Sequence, residues 1–537
     1  MTSHRNLRPH RKRAIGTNPI SLSSLRLQIG DTTEADRIDG FSGACQVRAP
    51  RVRTRWTEPL RMSPQDFAGL YASSADLWDV ANEYEEILRK QHKVGRNREC
   101  KVADMLVYQL LENDLFSSRK VERYLHDKRN WKAIVDAAKK SWPDNPERRL
   151  SSEPPTRFQI MRLRDTLCKR VPGFDDGYRN KMRTAAVRAA RHIGCGQAKD
   201  SITHPSKQNM IMGDATWEQS HFNGVANRTY LDEKTGEIIE GRSDPDAMPF
   251  HREGSAPGNY LVSALIRTEH EHERIILDSQ YKPAGIGDGT VFTDMAFKLF
   301  EPLGMVRGVI YDMALKAADQ DRVGSSGRHV LCKVPHTKDD RLRSEVLGEC
   351  RFKTGGKTFT EIVTAIDGCP AIVVANADGE KIVTPLTRKQ TKLRDTTMYN
   401  HFEIPDHPLV PISKRGATTW IRAFSSQDDL DAKRPRPGYL RSIPPNDPDF
   451  VRLFGLREDT ESMHNDYKSR LVNRRARTVG LDRREMDIRG YQLHQMIVAL
   501  AAWSIRTGGD VSEFFGRWEP PECAKNIRPP KSRRPYL

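Results

Sequence analysis

Apolar residues recur every three or four positions through residues 63–200, which is the period of helices that bury one face. The serines that open SSRKVERYL are suited to capping the start of a helix. The pattern therefore predicts a small helical domain at 63–200. The segments that show the period best are DLWDVANEYEEILRK, VADMLVYQLLEND, KVERYLHDKRNWKAIVDAAKK, RFQIMRLRDTL and RNKMRTAAVRAARHI.

The pattern changes in residues 205–340, where short apolar runs alternate with two amphipathic segments. The runs NMIMGDAT, YLVSALIR, ERIILDSQY, MVRGVIYD and HVLCKVP predict strands, and TVFTDMAFKLFEPL and MALKAADQD predict helices. This order predicts an α/β fold, with a mixed sheet flanked by helices. Residues 219–258 are expected to form a long hairpin or loop after the first strand.

Residues 341–430 are rich in strand patterns separated by Gly-Gly, Asp-Gly and Pro turns, and predict a β-rich unit. A Pro-rich linker follows, and helical periodicity returns in 449–507, with one helix expected over 449–474 and another over 484–507. Residues 1–62 show no sustained period and are expected to be a basic, mostly disordered tail. Residues 508–537 are expected to be a basic C-terminal tail.

The chain has a formal net charge of +17, and residues 1–60 and 525–537 together carry +11 of it. Such an excess favours polyanions, so DNA is the expected partner. The longest apolar run, HQMIVALAAW, is far shorter than the roughly 20 residues that cross a bilayer, and no membrane partner is expected. Eight scattered cysteines without CxxC spacing fit free thiols in the cytoplasm.

Five polar or aromatic residues share one face of the helix expected at 449–474. Relative to Glu461, the side chains of Phe454, Arg457, Asn465 and Lys468 point within about 40° at 100° per residue. A solvated helix face can place one carboxylate among bases by chance. The aromatic residue on the same face favours a binding or catalytic surface.

Two aspartates elsewhere in the chain could form a metal site together with that helix face. Asp214 ends the apolar run of the first predicted strand, and Asp312 ends that of the fourth, so the two carboxylates are expected to converge if these strands are neighbours. Two Asp and one Glu are a sufficient protein ligand set for a pair of Mg²⁺ ions, with Glu461 as the third ligand. Asp278 competes with Asp312 for this role, and Glu458 competes with Glu461.

The spacing of Phe454, Arg457, Glu461 and Lys468 resembles the Tyr-Arg-Glu-Lys signature of bacterial insertion-sequence DDE transposases, with Phe in place of Tyr. The resemblance covers about residues 205–507. It implies an RNase H-like catalytic core split between 205–340 and 449–507, with 341–430 as an insertion between the second Asp and the Glu, and a DNA-binding role for 63–200.

The resemblance also implies residue roles. Asp214, Asp312 and Glu461 would bind two Mg²⁺ ions, for which Mn²⁺ is expected to substitute. Arg457 and Lys468 would hold DNA phosphates, Phe454 keeps a stacking surface without the tyrosine hydroxyl, and Asn465 would contact DNA from the same face. The expected partners are terminal inverted repeats and target DNA, with a homodimer assembled on DNA and a nucleoid-associated location.

Two other functions remain open from the sequence. A non-enzymatic DNA-binding protein derived from a decayed or repurposed transposase would keep the basic surface without catalysis. A structure-selective nuclease would use the same carboxylates for cleavage without strand joining. Three further features are interpreted as structural: His270 and His272 as a solvated strand edge, GIGDG (285–289) as a turn, and Cys195 as an ordinary thiol.

Overall fold

The computed structural model describes residues 60, 62–91, 100–222, 229–231, 236, 238–240, 244–249, 256–335, 344–375, 381–406 and 410–525. Most of the expected N-terminal tail, the basic residues 526–537 and part of the 219–258 loop lie outside this range. The described residues belong to one compact unit, 59–537.

Helices fill the N-terminal part of the described chain, as the apolar period predicted. A serine caps one of these helices as expected, since the side chain of Ser117 accepts a hydrogen bond from the backbone N–H of Lys120. The helices are α1 (Pro64–Ser73), α2 (Ala75–Gln91), α3 (Val102–Leu115), α4 (Ser118–His126), α5 (Lys128–Ser141), α6 (Arg157–Arg170) and α7 (Phe174–His192).

A five-stranded mixed sheet follows, with the order β5-β4-β1-β6-β7. Its elements are β1 (Met210–Gln219), β4 (Gly258–Arg267), β5 (Arg274–Tyr281), α8 (Asp288–Leu303), β6 (Gly308–Ile310), α9 (Ala317–Gly324) and β7 (His329–Leu331). Strand β4 is antiparallel to β1 and β5, whereas β6 is parallel to β1 and β7. The predicted mixed sheet is confirmed, and so is the pairing of the first and fourth predicted strands.

The long segment after β1 contains a short hairpin, β2 (Thr229–Leu231) with β3 (Ile238–Glu240). The β-rich segment forms a curled antiparallel sheet with the order β11-β10-β9-β8-β14-β13-β12. Its strands are β8 (Ser344–Thr354), β9 (Lys357–Ile366), β10 (Cys369–Ala375), β11 (Lys381–Pro385), β12 (Thr387–Arg394), β13 (Thr397–Glu403) and β14 (Thr418–Arg422).

Helices complete the described chain: α10 (Gln427–Asp431), α11 (Pro448–Phe454), α12 (Arg457–Ser469), α13 (Leu481–Thr507), α14 (Ser512–Phe515) and α15 (Glu522–Lys525). The single helix expected over 449–474 is wrong, because α11 ends at Phe454 and α12 ends at Ser469. The break falls at Gly455, a residue type that weakens helix interiors. Residues 512–525, within the expected tail, form two short helices, and Phe514 and Phe515 are buried.

Both faces of the mixed sheet are covered. Alternate residues of β1 define the two sides: Ile211 belongs to the core shared with α1–α7, α8 and part of α13, whereas Met210 and Met212 belong to the core formed with α11 and α12. The N-terminal helices therefore share a continuous hydrophobic core with the sheet. In the described part of the chain, no helix has the length and apolar character required to cross a membrane.

Asp175, in the first turn of α7, lies near the acidic start of α13. Burial and the charges of Asp482 and Glu485 raise the pKa of Asp175 to about 7. The folded state therefore binds this proton more tightly than the unfolded state, so the contribution of Asp175 to stability is complete at low pH and is lost as pH rises through about 7.

The Asp175→Asn variant should gain melting temperature relative to the wild type as the pH rises from about 5 to about 8, since asparagine keeps the neutral shape. Thermal unfolding of both proteins across this pH range measures the difference. A difference in melting temperature that stays constant with pH would contradict the assignment.

Candidate active site

Asp214 lies in the middle of β1, on the side of the sheet that α12 covers. It follows Met210 and Met212 at two-residue steps, and Thr216 continues the same face. Asp214 ends the apolar run as described, but the expectation that it lies at or near the end of the strand is wrong, because β1 continues to Gln219. Asp214 instead lies just past the residues of β1 that pair with β6.

Asp312 follows the end of β6 by two residues, just as Asp214 follows the last residue of β1 that pairs with β6 by two residues. Strands β1 and β6 are parallel, with Met210 paired to Gly308 and Met212 paired to Ile310, so continuing the same register by two residues aligns Asp214 with Asp312. The carboxylate of Asp312 accepts a hydrogen bond of 2.8 Å from the backbone N–H of Ala314, in the turn that follows β6. This turn also explains why α9 begins at Ala317 rather than at Met313 as expected.

Asp312 lies within electrostatic range of Asp214. Burial raises the pKa of Asp312, and the charges of Asp214 and Asp288 raise it further, while the hydrogen bond from Ala314 and the charge of Arg457 act in the opposite direction. The sheet therefore brings together Asp214 and Asp312, with a guanidinium within electrostatic range.

Asp288 is a third carboxylate near this pair, and it was missed by sequence reasoning. It opens α8 and accepts a hydrogen bond of 3.1 Å from the hydroxyl of Tyr311, the residue before Asp312. Burial, followed by the charges of Asp288, Asp312 and Asp214, raises the pKa of Tyr311. In the sequence, Asp288 belongs to the GIGDG segment, which was interpreted only as a turn. The segment does lead into α8, and its aspartate is the residue that lies near the site.

Helix α12 carries Arg457 and Glu461 on the same side of the sheet. The Nη2 atom of Arg457 lies 2.6 Å from Oε1 of Glu461, whose side chain is 51 % exposed. Arg457 therefore contacts Glu461 directly and acts on Asp312 through its charge. The structure places Glu461 on the helix that packs on β1, but with its carboxylate paired to an arginine.

Lys468 and Asn465 differ in their surroundings. The Nζ atom of Lys468 donates a 2.6 Å hydrogen bond to Oγ1 of Thr216 on β1, and burial lowers the pKa of this lysine. Asn465 is exposed, and its Oδ1 accepts a 2.7 Å hydrogen bond from Arg474. Lys468 thus faces the sheet and contacts Thr216, which follows Asp214 by two residues on β1. Asn465 faces solvent.

Phe454 lies on α11 and not on the helix of Glu461, so the expectation of one continuous face is wrong for this residue. Its ring stacks on Phe450 at a centroid distance of 5.1 Å and packs against the core between α11, α12 and the sheet. The Nζ atom of Lys333 lies 5.7 Å from the ring centroid. The aromatic side chain therefore serves packing and a cation contact in this structure.

The two competing carboxylates occupy other environments. Asp278 is fully buried and is held by Arg179, with Nε–Oδ1 at 2.8 Å and Nη2–Oδ2 at 2.9 Å. Glu458 is exposed on α12. Asp278 is therefore a structural ion-pair residue, away from the Asp214 and Asp312 pair.

Two of the features interpreted as structural also have defined places. His270 and His272 lie in the turn between β4 and β5, so their expected position on a strand edge is wrong. Cys195 is buried, and burial raises the pKa of its thiol, which makes it a poor nucleophile.

The donor set fits a hard divalent cation in part. Asp214 on β1 and Asp312 just after β6 supply carboxylate oxygens, which are the ligands that Mg²⁺ prefers. Among the described residues, no three His, Cys, Asp or Glu side chains are arranged so that they could hold a metal ion as they stand. One oxygen of the Glu461 carboxylate is engaged by Arg457.

Comparison with known proteins adds no family assignment. No protein-family model matches the chain. A search of curated proteins found no match either.

Proposed function

We propose that this chain is a DDE-type DNA transposase with an RNase H-like core, which cuts the phosphodiester at transposon ends and joins the freed 3′-hydroxyl to target DNA. The observation that carries the proposal is the parallel pairing of β1 with β6, which makes Asp214 and Asp312 neighbours on the sheet face covered by the helix of Glu461.

Two further observations support the proposal. The sheet order β5-β4-β1-β6-β7, with three antiparallel strands followed by two parallel ones, is compatible with the mixed sheet that the resemblance implies. The antiparallel strands β8–β14 lie between Asp312 and Glu461 along the chain, where the resembling transposases carry a β-rich insertion.

The chain's own residues would divide the work as follows. Asp214 and Asp312 bind divalent cations from adjacent strands, and Glu461 completes the ligand set when Arg457 exchanges its carboxylate partner for a DNA phosphate. Bound Mg²⁺ would supply activation of water or a 3′-hydroxyl and stabilise the leaving 3′-oxygen. Lys468 holds Thr216 and contributes positive charge beside Asp214.

The direct test uses a supercoiled plasmid that carries the DNA flanking this gene, incubated with the protein and Mg²⁺ or Mn²⁺. We expect nicks at the ends of inverted repeats, followed by strand joining, and no covalent protein–DNA adduct, because water or a hydroxyl is the nucleophile. Cleavage without joining would instead indicate a nuclease.

DNA affinity should fall steeply with salt, by roughly 0.9 log unit per phosphate contact for each tenfold rise in salt. Fluorescence anisotropy with a labelled duplex, over a salt range of about 50 to 500 mM, measures this slope. An affinity that does not change with salt would contradict a DNA partner.

One observation favours the second candidate, a DNA-binding protein without catalysis. Glu461 is paired with Arg457, and no three carboxylate or histidine groups of the described residues are poised for a metal. Salt-dependent DNA binding with no cleavage in Mg²⁺ or Mn²⁺ would support this candidate over the transposase.

A further inference from the structure

His464 lies on α12 between Glu461 and Lys468, one helical turn from each. Its ring points at the sheet and is only 3 % exposed. The position differs from Glu461 by about 60° around the helix axis, so His464 belongs to the buried side of α12 rather than to its solvent side. No role in the proposed chemistry has been assigned to it so far.

Beneath His464, three polar residues form a row across the sheet. Asp214 of β1 pairs directly with Ser263 of β4, and Ser263 pairs directly with Ser279 of β5. Both serines are fully buried. Such a polar row within a sheet interior requires partners for each hydroxyl, and the hydrogen bonds along it have a direction.

These hydrogen bonds favour one tautomer of His464. The hydroxyl of Ser279 donates to Oγ of Ser263 at 3.1 Å, and Oγ of Ser263 lies 3.2 Å from Nε2 of His464. The hydroxyl of Ser263 keeps its own hydrogen, which it can donate to Nε2. With Nε2 accepting from Ser263, the ring carries its proton at Nδ1. Burial lowers the pKa of His464, and the nearby charge of Asp214 acts in the opposite direction.

This N–H faces Asp214. Nδ1 lies 3.9 Å from Oδ2 of Asp214, beyond hydrogen-bond length, and has no hydrogen-bond partner among the described residues. A buried donor without a partner is costly, so a reason for keeping it is expected. The nearest carboxylate oxygen that could satisfy it belongs to Asp214.

We propose that His464 is a positioning residue for Asp214: its Nδ1–H closes onto Oδ2, which leaves the other carboxylate oxygen for a divalent cation. The serine hydrogen bonds favour the tautomer with a proton on Nδ1, and this N–H fixes the orientation of the Asp214 carboxylate. The inference rests on the proposed function, which is what places a divalent cation at Asp214. Ligating carboxylates in metal sites are commonly held by such outer hydrogen bonds.

Two substitutions separate positioning from packing. In His464→Asn the amide N–H₂ takes the place of Nδ1, whereas in His464→Gln it takes the place of Nε2. Both variants remove the ring and keep a polar amide, so their effects on packing are comparable. His401→Gln, on β13 of the seven-stranded sheet, is the matched control.

Mn²⁺ binding is measured by electron paramagnetic resonance of the free ion, with thermal unfolding of each variant as the check on folding. We expect His464→Gln to weaken Mn²⁺ binding by about 10- to 100-fold, the range seen when such outer partners are lost. His464→Asn should remain within about threefold of the wild type, and His401→Gln should be unchanged. Asp312→Asn should abolish binding at this site.

Wild-type Mn²⁺ affinity in His464→Gln would overturn the inference, and so would equal weakening in the Asn and Gln variants. Mn²⁺ binding that depends on Asp312 and His464, in a wild-type protein that neither cuts nor joins DNA, would overturn the proposed function and support the positioning role. Wild-type protein that binds no Mn²⁺ would overturn both.

Discussion

The Asp312→Asn variant should lose Mg²⁺-dependent DNA cleavage by at least about 10³-fold, equivalent to about 4 kcal/mol of transition-state stabilisation. Asparagine keeps the size of the side chain and an oxygen that can accept the backbone N–H of Ala314, so the turn after β6 should survive. What disappears is one negative charge from the pair formed with Asp214. Initial rates of plasmid nicking measure the loss.

The same variant should be at least as stable as the wild type. Burial and the charges of Asp214 and Asp288 disfavour the ionised form of Asp312, which is the reason its pKa is raised. A neutral side chain relieves that repulsion. Loss of activity together with unchanged or higher melting temperature and unchanged DNA binding is therefore the specific signature of a cation ligand.

Asp395→Asn is the matched control for this substitution. Asp395 lies in the turn between β12 and β13 with a positive φ of 56°, a conformation that asparagine tolerates well. Its cleavage rate should equal that of the wild type. On α12, Glu461→Gln should lose cleavage while Glu458→Gln retains it. Full activity of Asp312→Asn or Glu461→Gln would remove that residue from the site.

The largest expected effect on stability comes from Asp278. Removing its partner with Arg179→Met should cost about 3–5 kcal/mol, because a fully buried carboxylate loses its bidentate guanidinium. Arg183 at 3.3 Å and Arg489 at 4.0 Å remain, but neither replaces both hydrogen bonds. Urea unfolding monitored by circular dichroism measures the change.

The pH dependence of this contribution has a definite sign. Burial alone would raise the pKa of Asp278, but the hydrogen bonds and charges of Arg179, Arg489 and Arg183 outweigh it and hold the pKa below its usual value. The stabilisation is therefore present above the unfolded pKa of about 3.9 and is lost as pH falls through the lower folded value.

Asp136→Ala serves as the control for Arg179→Met, since the exposed pair of Lys132 and Asp136 on α5 should matter little. If the buried and exposed substitutions changed the free energy of unfolding equally, Asp278 would not be the structural ion-pair residue described here.

Element types were largely predictable from the sequence, because helices and strands of this chain bury one face and so carry a clear period. Strand β1 shows the limit: its apolar run stops at Gly213, but pairing with β4 extends the strand through Asp214 to Gln219. Long-range pairing partners, which no local period records, decided where the strand ended. The segment after Phe454 shows the converse, where two residues, Gly455 and Leu456, separate two helices that a single period had joined.

The candidate site was predictable to the same degree. The convergence of Asp214 and Asp312 followed from strand order, which the alternation of strands and helices allowed. The pairing of Arg457 with Glu461 depends on rotamers. The place of Asp288 depends on where α8 begins beside Tyr311, and the place of His464 depends on how α12 packs on the sheet, so none of these was visible in the sequence.

The N-terminal helices and α13 are also joined by polar contacts. Arg164 of α6 lies 2.7 Å from Glu112 of α3 and 3.7 Å from Asp487 of α13, and all three side chains are buried. Arg470, just after α12, pairs with Asp114 of α3 at 3.6 Å. These buried contacts oppose independent motion of residues 63–200 relative to the sheet. Under the proposed function, a duplex bound by these helices would be held at a fixed distance from Asp214 and Asp312, and that distance would select the bond to be cut.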